Sequence, residues 1–321
     1  MSDQPPGETG RPIVVALGGN ALMQPGQPLT MAGQRRNAGR AAAAIAGLCG
    51  DHDVIVTHGN GPQVGALALQ SQAAAVLPDQ TLDVLAAESE GMIGYVLEQE
   101  LYDRLPNRKI ATLLTLVVVD PEDPAMTTPS KPVGPWYEAH EWRPLAEANG
   151  WSAIEDGGQY RRVVPSPEPR DILELPAIEA LVRAGIVPIC AGGGGIAVAH
   201  GASGELAGVE GIVDKDLTSA LLAVRLDAAC LLLLTDVDAV YEGWGGEAPR
   251  ALASLDRAAA ASLDLAAGSM APKVEAALRF AEATGRPALI GNLEDATAML
   301  AGKVGTRLTA RRQKTAKPRR L

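Results

Sequence analysis

The chain has 321 residues, 47% of them hydrophobic, so it can bury the core of one large or two smaller domains and is not expected to be disordered as a whole. Its formal net charge is −10, and six basic residues lie in the C-terminal stretch 311–320, so the remaining surface is acidic enough to repel nucleic acid. The three cysteines, Cys49, Cys190 and Cys230, form no CxxC pair, which argues against a zinc site or a disulfide framework and favours a reducing cytoplasm.

The two ends of the chain are expected to be disordered tails around one domain. The N-terminal stretch has neither the basic opening nor the apolar segment of a signal peptide, and no apolar run is long and uninterrupted enough to span a membrane. We predict disordered tails at residues 1–11 and 310–321, the second of them basic, and a folded domain at residues 12–309. We expect no contact with a membrane.

Short apolar runs alternate with helical stretches along this domain. The predicted strands are residues 13–17, 53–57, 111–119, 186–190, 230–235 and 288–291. The predicted helices are residues 32–50, 64–75, 82–105, 175–184, 217–226 and 272–284. This alternation predicts an α/β fold with a mostly parallel central sheet that is covered by helices on both faces.

Glycine-rich loops follow the first two predicted strands. The sequences are GGNAL and HGNGPQVG, and backbone N–H groups in such loops can point at an anion near the start of a helix. The alternative is that these glycines only permit tight turns. The residues that we predict to bind substrate or phosphate in these two loops are Gly18, Gly19, Asn20, Gly59, Asn60 and Gly61.

Familiar nucleotide-binding motifs are missing from the sequence. The HGNGPQVG loop has GxGxxxG spacing after the second strand, and no acidic residue ends a strand about twenty residues later, so a dinucleotide-binding site is excluded. No GxxxxGK[ST] loop and no protein-kinase HRD or DFG motif occurs. Any chemistry with ATP must therefore use another scaffold.

Residues 121–171 interrupt the alternation and predict an inserted lid subdomain. This stretch is dense in proline, aromatic and charged residues, and it predicts a hairpin about the turn at Gly157 and Gly158. Its SKPVGP segment carries Lys131, for which we predict a catalytic role. The alternative is a long connection that packs on the edge of the domain.

Further candidate residues follow the later strands. AGGGGI supplies Gly193 and Gly194, for which the alternative is a flexible hinge. VDKDLT supplies Lys215 and Asp216 at the start of a helix, where an acid can orient the ammonium group. A lone DKD would more often be a helix N-cap beside a lysine that faces solvent.

The last two candidate segments predict a nucleotide site. LTDVDAVYE follows a buried strand and places Asp236 and Tyr241 where they could hold a base or ribose, although the acids could also be ordinary turn formers. GSMAPK places Met270 and Lys273 at the first turn of a helix, whose positive end favours phosphate. Lysines and glycines together suggest phosphoryl transfer between small anions.

Taken in order, ALGGNAL, HGNGPQVG, VVVDPEDPA, SKPVGP, RRVVPSPEP, CAGGGGI, VDKD, LTDVDAVYE and GSMAPK resemble the carbamate kinases of the amino acid kinase fold family. The resemblance runs from about residue 13 to residue 308 and implies a three-layer αβα core. It also implies a homodimer, a place in arginine catabolism, and reversible phosphoryl transfer between carbamoyl phosphate and ADP that gives ATP and carbamate. Magnesium is expected to be held mainly by phosphate oxygens and water, so no residue is assigned to it.

The resemblance also assigns roles to the candidate residues. Lys215 and Lys273 would flank the transferred phosphoryl group, Asp216 would orient them, and Lys131 would close over the site. Asp236, Tyr241, Met270 and Lys273 would lie on the nucleotide side. Carbamate is already an anion and offers no proton to remove, so His58 is expected to orient its loop through a hydrogen bond.

Two other functions are compatible with these residues. One is a related acyl-phosphate kinase that acts on another small carboxylate. The other is a catalytically inactive nucleotide sensor that contacts a partner through its basic tail.

Overall fold

The computed structural model describes residues 10–23, 27–73, 80–201, 203–246, 248–266 and 268–310, except for the side chains of residues 20 and 21. The predicted tails fall almost entirely outside the described residues, since residues 1–9 and 311–321 are not among them. Within the described residues, no helix combines the length and the apolar character that crossing a membrane requires.

The strands of the described residues are β1 (Ile13–Leu17), β2 (Val54–His58), β3 (Lys109–Thr112), β4 (Leu116–Val119), β5 (Lys131–Glu138), β6 (Ser152–Asp156), β7 (Gln159–Val164), β8 (Pro169–Ile172), β9 (Ile186–Ile189), β10 (Ile196–His200), β11 (Leu206–Gly208), β12 (Cys230–Thr235), β13 (Val240–Glu242), β14 (Arg250–Leu252), β15 (Ser254–Leu255), β16 (Ala288–Asn292) and β17 (Thr306–Leu308). The α-helices are α1 (Gly19–Leu22), α2 (Met31–Leu48), α3 (Gly61–Ala73), α4 (Leu82–Tyr102), α5 (Ala139–Asn149), α6 (Leu175–Arg183), α7 (Lys215–Arg225), α8 (Arg257–Ala260), α9 (Met270–Thr284) and α10 (Ala296–Leu300).

A large, mostly parallel sheet forms the centre of the fold. Its strand order is β15-β17-β16-β12-β1-β2-β9-β3, and β17 runs antiparallel to β16. All five residues of β1 are buried, and they alternate between two hydrophobic clusters. Ile13 and Leu17 pack with α2 and α4, whereas Val14 and Ala16 pack with α7 and α9. The predicted sandwich of helices around a mostly parallel sheet is therefore confirmed.

The predicted strand at residues 111–119 is wrong as a single element. The chain leaves the large sheet after Thr112 and enters a second sheet, of order β11-β10-β4-β8, at Leu116. The break lies at Thr115, whose N–H donates to Glu90 at 3.2 Å and whose hydroxyl accepts from the N–H of Ala191 at 2.8 Å. These partners are distant in sequence, so a continuous apolar run could not reveal the break.

The predicted insert contains a small sheet of its own. Strands β5, β7 and β6 pair in that order, and the predicted hairpin is confirmed because Asp156 pairs with Gln159 across Gly157 and Gly158, both of which have positive φ. Trp142 of α5 packs against three other aromatic rings at centroid distances of 5.8 to 6.3 Å. The insert therefore has its own aromatic core.

The insert rests directly on α3. Val133 and Val164 are buried in one cluster with Val64. A Cβ atom added to Gly65 of α3 would lie 2.0 Å from the Cα atom of Gly134 in β5, so the two backbones touch. Glycine at position 65 is what allows this approach.

Candidate active site

A cleft of about 410 Å³ opens where β1, β2 and β12 end, between the sheet and the insert. Its lining residues come from eight separate stretches of the chain. The predicted site residues among its lining are Gly18, Gly19, Gly59, Asn60, Gly61, Lys131, Gly193, Lys215, Asp216, Asp236, Tyr241, Met270 and Lys273. Two predicted residues are not placed there: Gly194 is not among the lining residues, and the side chain of Asn20 lies outside the described residues.

The first two glycine loops touch each other at the cleft. A Cβ atom on Gly59 would lie 3.0 Å from the backbone nitrogen of Gly19, and a Cβ atom on Gly18 would lie 3.0 Å from the carbonyl oxygen of Leu234. The parallel pairing of β1 with both β2 and β12 brings these three strand ends together. The loops form one continuous backbone surface on which an anion can lie close to N–H groups.

His58 contacts this surface from the end of β2. Its side chain is fully buried, and its Nδ1 lies 3.2 Å from the carbonyl oxygen of Gly59. Burial lowers the pKa of His58 to about 4. The imidazole is therefore neutral near pH 7 and contacts its own loop. Its role in orienting that loop stays a prediction.

The polyglycine loop after β9 requires the conformational freedom of glycine. Gly193, Gly194 and Gly195 all have positive φ. A Cβ atom on Gly193 would lie 2.1 Å from the side-chain nitrogen of Asn60, and one on Gly194 would lie 2.3 Å from the carbonyl oxygen of Val213. The loop is thus wedged between the second glycine loop and the segment that leads into α7.

Helix α4 holds both of these loops through two adjacent buried residues. Ser89 accepts a hydrogen bond from the side chain of Asn60 at 2.8 Å, and Glu90 accepts one from the N–H of Gly192 at 2.7 Å. Burial raises the pKa of Glu90 to about 8, against the opposing effect of the N–H groups that it accepts from. The sequence analysis missed both residues, although a Ser-Glu pair on the apolar face of a helix was a usable signal.

Glu90 gives a prediction about pH. Its pKa in the folded state is raised above its ordinary value near 4.5, so between about pH 4.5 and pH 8 the unfolded chain has released a proton that the native protein retains. Raising the pH through this window lowers the free energy of unfolding. Glu90→Gln removes the titrating carboxyl, so between pH 5 and pH 9 its free energy of unfolding should rise relative to that of wild type by on the order of a few kcal/mol, whatever the loss of one accepted hydrogen bond costs at both pH values.

Urea unfolding at both pH values measures this effect. Glu88→Gln, which replaces an exposed carboxyl on the same helix, is the matched control and should follow wild type. Parallel pH profiles for wild type and Glu90→Gln would contradict the prediction.

Two aspartates and two lysines form a charge cluster at the start of α7. Asp214 is the N-cap residue, and its carboxylate accepts from the N–H groups of Asp216 and Leu217. The carboxylate of Asp216 bridges the two lysines, at 2.6 Å from Nζ of Lys215 and 3.0 Å from Nζ of Lys273. The alternative of a solvent-facing lysine is wrong, because only 9% of the Lys215 side chain is exposed.

Burial and pairing act against each other in this cluster. Burial lowers the pKa of Lys215 and is only partly offset by Asp216. Burial also opposes the charge on Lys273 and on Asp216. For Lys273 the attraction of nearby aspartates, chiefly Asp216, outweighs burial, and for Asp216 the attraction of both lysines does. The pKa of Lys273 is therefore above its ordinary value and that of Asp216 is below it, so these two groups are charged near pH 7.

The insert adds two more cations to the cleft. Lys131 of β5 forms a salt bridge with Asp214, which links the insert to the start of α7. Arg161 of β7 also lines the cleft, and the sequence analysis missed it although it lies in the quoted RRVVPSPEP segment. Strand pairing between β5 and β7 brings both residues to the same opening.

The opposite side of the cleft has a different character. Asp236, Tyr241 and Met270 line it, together with Trp244, whose ring lies 5.1 Å from that of Tyr241. The hydroxyl of Tyr241 donates to Asp238 at 2.8 Å. Exposed aromatic rings and carboxylates are groups that can contact a base and ribose.

A magnesium ion bound in this cleft would have to rely chiefly on phosphate oxygens of a substrate. Asp214 and Asp216 are both paired with lysines, and the described residues contain no group of three or more His, Cys, Asp or Glu side chains arranged to hold a metal. Magnesium commonly binds through one or two carboxylates together with substrate phosphates.

Comparison with known proteins places the chain in a family. Residues 11–292 match the amino acid kinase family. The chain is 50% identical to a carbamate kinase of Rhizobium meliloti (strain 1021) over 92% of both chains. It superimposes with a TM-score of 0.84 on Giardia lamblia carbamate kinase bound to AMP-PNP, at 39% identity over 94% of this chain and 99% of that one. The Giardia enzyme thiocarbamoylated by disulfiram on a cysteine matches with a TM-score of 0.82 at the same identity and coverage. The chain therefore belongs to the amino acid kinase family, among the carbamate kinases.

Proposed function

We propose that the chain catalyses reversible phosphoryl transfer between carbamoyl phosphate and ADP, giving ATP and carbamate. The observation that supports this most directly is the convergence of Lys131, Lys215 and Lys273 on one cleft lined by glycine loops. The kinase relatives support the use of ATP and ADP, and their name supports carbamate as the acceptor. A place in arginine catabolism remains a prediction from the resemblance.

The chemistry requires two anions to approach each other in line. Lys215 and Lys273 would neutralise charge on the equatorial oxygens of the phosphoryl group, and Asp216 would hold both ammonium groups toward the same point. No general base is required, because carbamate attacks as an anion. Magnesium, when bound, would supply further charge neutralisation on the nucleotide phosphates.

The glycine loops and the insert would position the reactants. The N–H groups around Gly19, Gly59 and Gly61 would hold the small substrate, and Lys131 would close over it from the insert. Asp236 and Tyr241 would contact the nucleotide. Holding both reactants in a fixed geometry provides a large part of the barrier reduction in such transfers.

A coupled assay tests the proposal. ATP made from ADP and carbamoyl phosphate is measured with magnesium varied, and acetyl phosphate and other small acyl phosphates are offered in parallel. Preference for carbamoyl phosphate supports the proposal. No ATP formation from carbamoyl phosphate, or faster turnover of another acyl phosphate, would contradict it.

The cysteines predict resistance to thiol reagents. Cys49, Cys190 and Cys230 are at most 3% exposed and unpaired, and none of them lines the cleft. Burial raises the pKa of Cys49 to about 11 and that of Cys230 to about 12. We therefore expect disulfiram neither to modify this chain nor to change its activity, whereas it modifies a cysteine of the Giardia enzyme.

Residual activity and intact mass after treatment check this prediction. The matched control is Ser269→Cys, which places a thiol in the cleft lining and should become sensitive. Stoichiometric modification of the wild-type chain with loss of activity would overturn the prediction.

We also propose that the protein is a cytoplasmic homodimer. Three free cysteines suit a reducing compartment.

Strand β3 lies at one end of the large sheet, and nearby Tyr95 and Leu114 are 54% and 51% exposed. An edge strand beside exposed apolar side chains is a suitable surface for a second copy. Sedimentation equilibrium measures the oligomeric state, and a monomer at micromolar concentration would contradict it.

A further inference from the structure

Arg161 is held rigidly at the cleft. It lies on β7 and is half-buried, its Nε donates to the carbonyl oxygen of Gly134 at 3.0 Å, and its guanidinium carbon lies 6.0 Å from the ring centre of Trp136. Because Nε is engaged, the four N–H groups on the two terminal nitrogens remain to bind oxygens. A guanidinium fixed in this way presents its donors without a large loss of side-chain entropy.

The charge of Arg161 is not balanced by a carboxylate. Each of the three cleft lysines forms a salt bridge, Lys131 with Asp214 and both Lys215 and Lys273 with Asp216. In the part of the chain that the structure describes, Arg161 forms no salt bridge, and burial lowers its pKa below the ordinary value. A partly buried cation without a counter-ion is costly, so such a site favours an anion from solution.

The surroundings of Arg161 indicate which anion it binds. Arg161 donates a hydrogen bond to the carbonyl oxygen of Gly134. The backbone of Gly134 in turn contacts Gly65, in the first turns of α3. Helix α3 begins at Gly61, which lines the cleft directly after the second glycine loop. Arg161 therefore belongs to the part of the cleft where the insert rests on the first turns of α3, next to the second glycine loop, whereas Asp236 and Tyr241 follow β12 and lie on β13.

We propose that Arg161 binds the phosphate oxygens of the small acyl-phosphate substrate, so that it determines affinity for carbamoyl phosphate and not for the nucleotide. This assignment rests on the proposed function. Two N–H groups from the guanidinium match two phosphate oxygens, a geometry that an ammonium group cannot reproduce. Arg161 and Lys131 would then approach the same anion from the insert. The substrate phosphate would supply the negative charge that no carboxylate supplies to Arg161.

Steady-state kinetics of matched variants test the assignment. Arg161→Met should raise the KM for carbamoyl phosphate about ten- to a hundredfold and leave the KM for ADP within about twofold. Arg161→Lys should recover only part of the affinity, because it keeps the charge and loses the paired donors. The control is Arg162→Met, since Arg162 is the next residue on β7 but stacks 4.0 Å over Trp151 and does not line the cleft.

A binding measurement separates this inference from the proposed function. Calorimetric titration of carbamoyl phosphate in the cold, without nucleotide, should show weaker binding to Arg161→Met than to wild type and to Arg162→Met. Equal binding by Arg161→Met and wild type, or an equal rise in the KM values for both substrates, would overturn the assignment. Absence of ATP formation by wild type would instead contradict the proposed function. If Arg161→Met does not fold, the same measurements are made on Arg161→Lys, which should also bind carbamoyl phosphate more weakly than wild type.

Discussion

Lys215→Met is expected to lower kcat by at least about a hundredfold. The Lys215 side chain is 9% exposed, lines the cleft and lies 2.6 Å from Asp216, so its charge is both desolvated and fixed. A preorganised charge in a water-poor site stabilises developing negative charge far more than it would in water, and deleting one such group typically costs two or three orders of magnitude. Asp216 keeps Lys273 as a partner, so the cluster retains one ion pair.

Steady-state kinetics in the direction of ATP synthesis measure this effect. Lys303→Met, at an exposed loop position, is the matched control and should retain the wild-type rate. Lys273→Met should lower kcat by a similar factor. The double variant should lower kcat by less than the product of the two single factors, because both lysines are paired with Asp216. A near-normal kcat in Lys215→Met would refute the role that we propose for it.

Gly65→Ala is the second substitution for which we expect a large effect. On helix propensity alone, alanine in the interior of α3 should stabilise the protein by up to about 1 kcal/mol. The added Cβ atom would however lie 2.0 Å from the Cα and 2.2 Å from the nitrogen of Gly134. These are backbone atoms, which cannot rotate away as a side chain can. Strand β5 must therefore shift relative to α3, against which it packs.

The displacement should reach the active site through the insert. Lys131 lies on β5 with Gly134, and Arg161 is hydrogen-bonded to Gly134. We therefore expect Gly65→Ala to raise the KM for carbamoyl phosphate and to lower kcat, together reducing kcat/KM by at least about a hundredfold. Faster proteolytic cleavage within the insert should accompany the loss.

Kinetics and limited proteolysis check this prediction against Gly47→Ala. Gly47 is an exposed glycine of α2, where an added Cβ atom meets only the hydroxyl of Thr297 at 3.4 Å, an ordinary contact. Gly47→Ala should keep full activity and tolerate heat at least as well as wild type. Wild-type kinetics in Gly65→Ala would show that the insert can shift without consequence for the site.

Local patterns were sufficient for most of the elements. Six apolar runs were predicted as strands, and five of them were confirmed as single strands within one residue at either end. The Gly157-Gly158 hairpin and the start of α9 near Pro272 were also predicted, because turn and first-turn signals lie within a few residues of each other. The glycine loops and Lys273 were located by their positions next to these elements.

The sequence by itself determined the alternation of strands and helices, the family, and which loops carry lysine and glycine. Only the tertiary structure decided that Asp216 bridges two lysines, that Lys131 pairs with Asp214, that Glu90 holds the polyglycine loop, and that the run 111–119 splits between two sheets. It also placed Arg161 at the cleft without a carboxylate. The physical reason is that periodicity and turn chemistry act over a few residues, whereas ion pairs and buried hydrogen bonds join residues that the fold alone brings together.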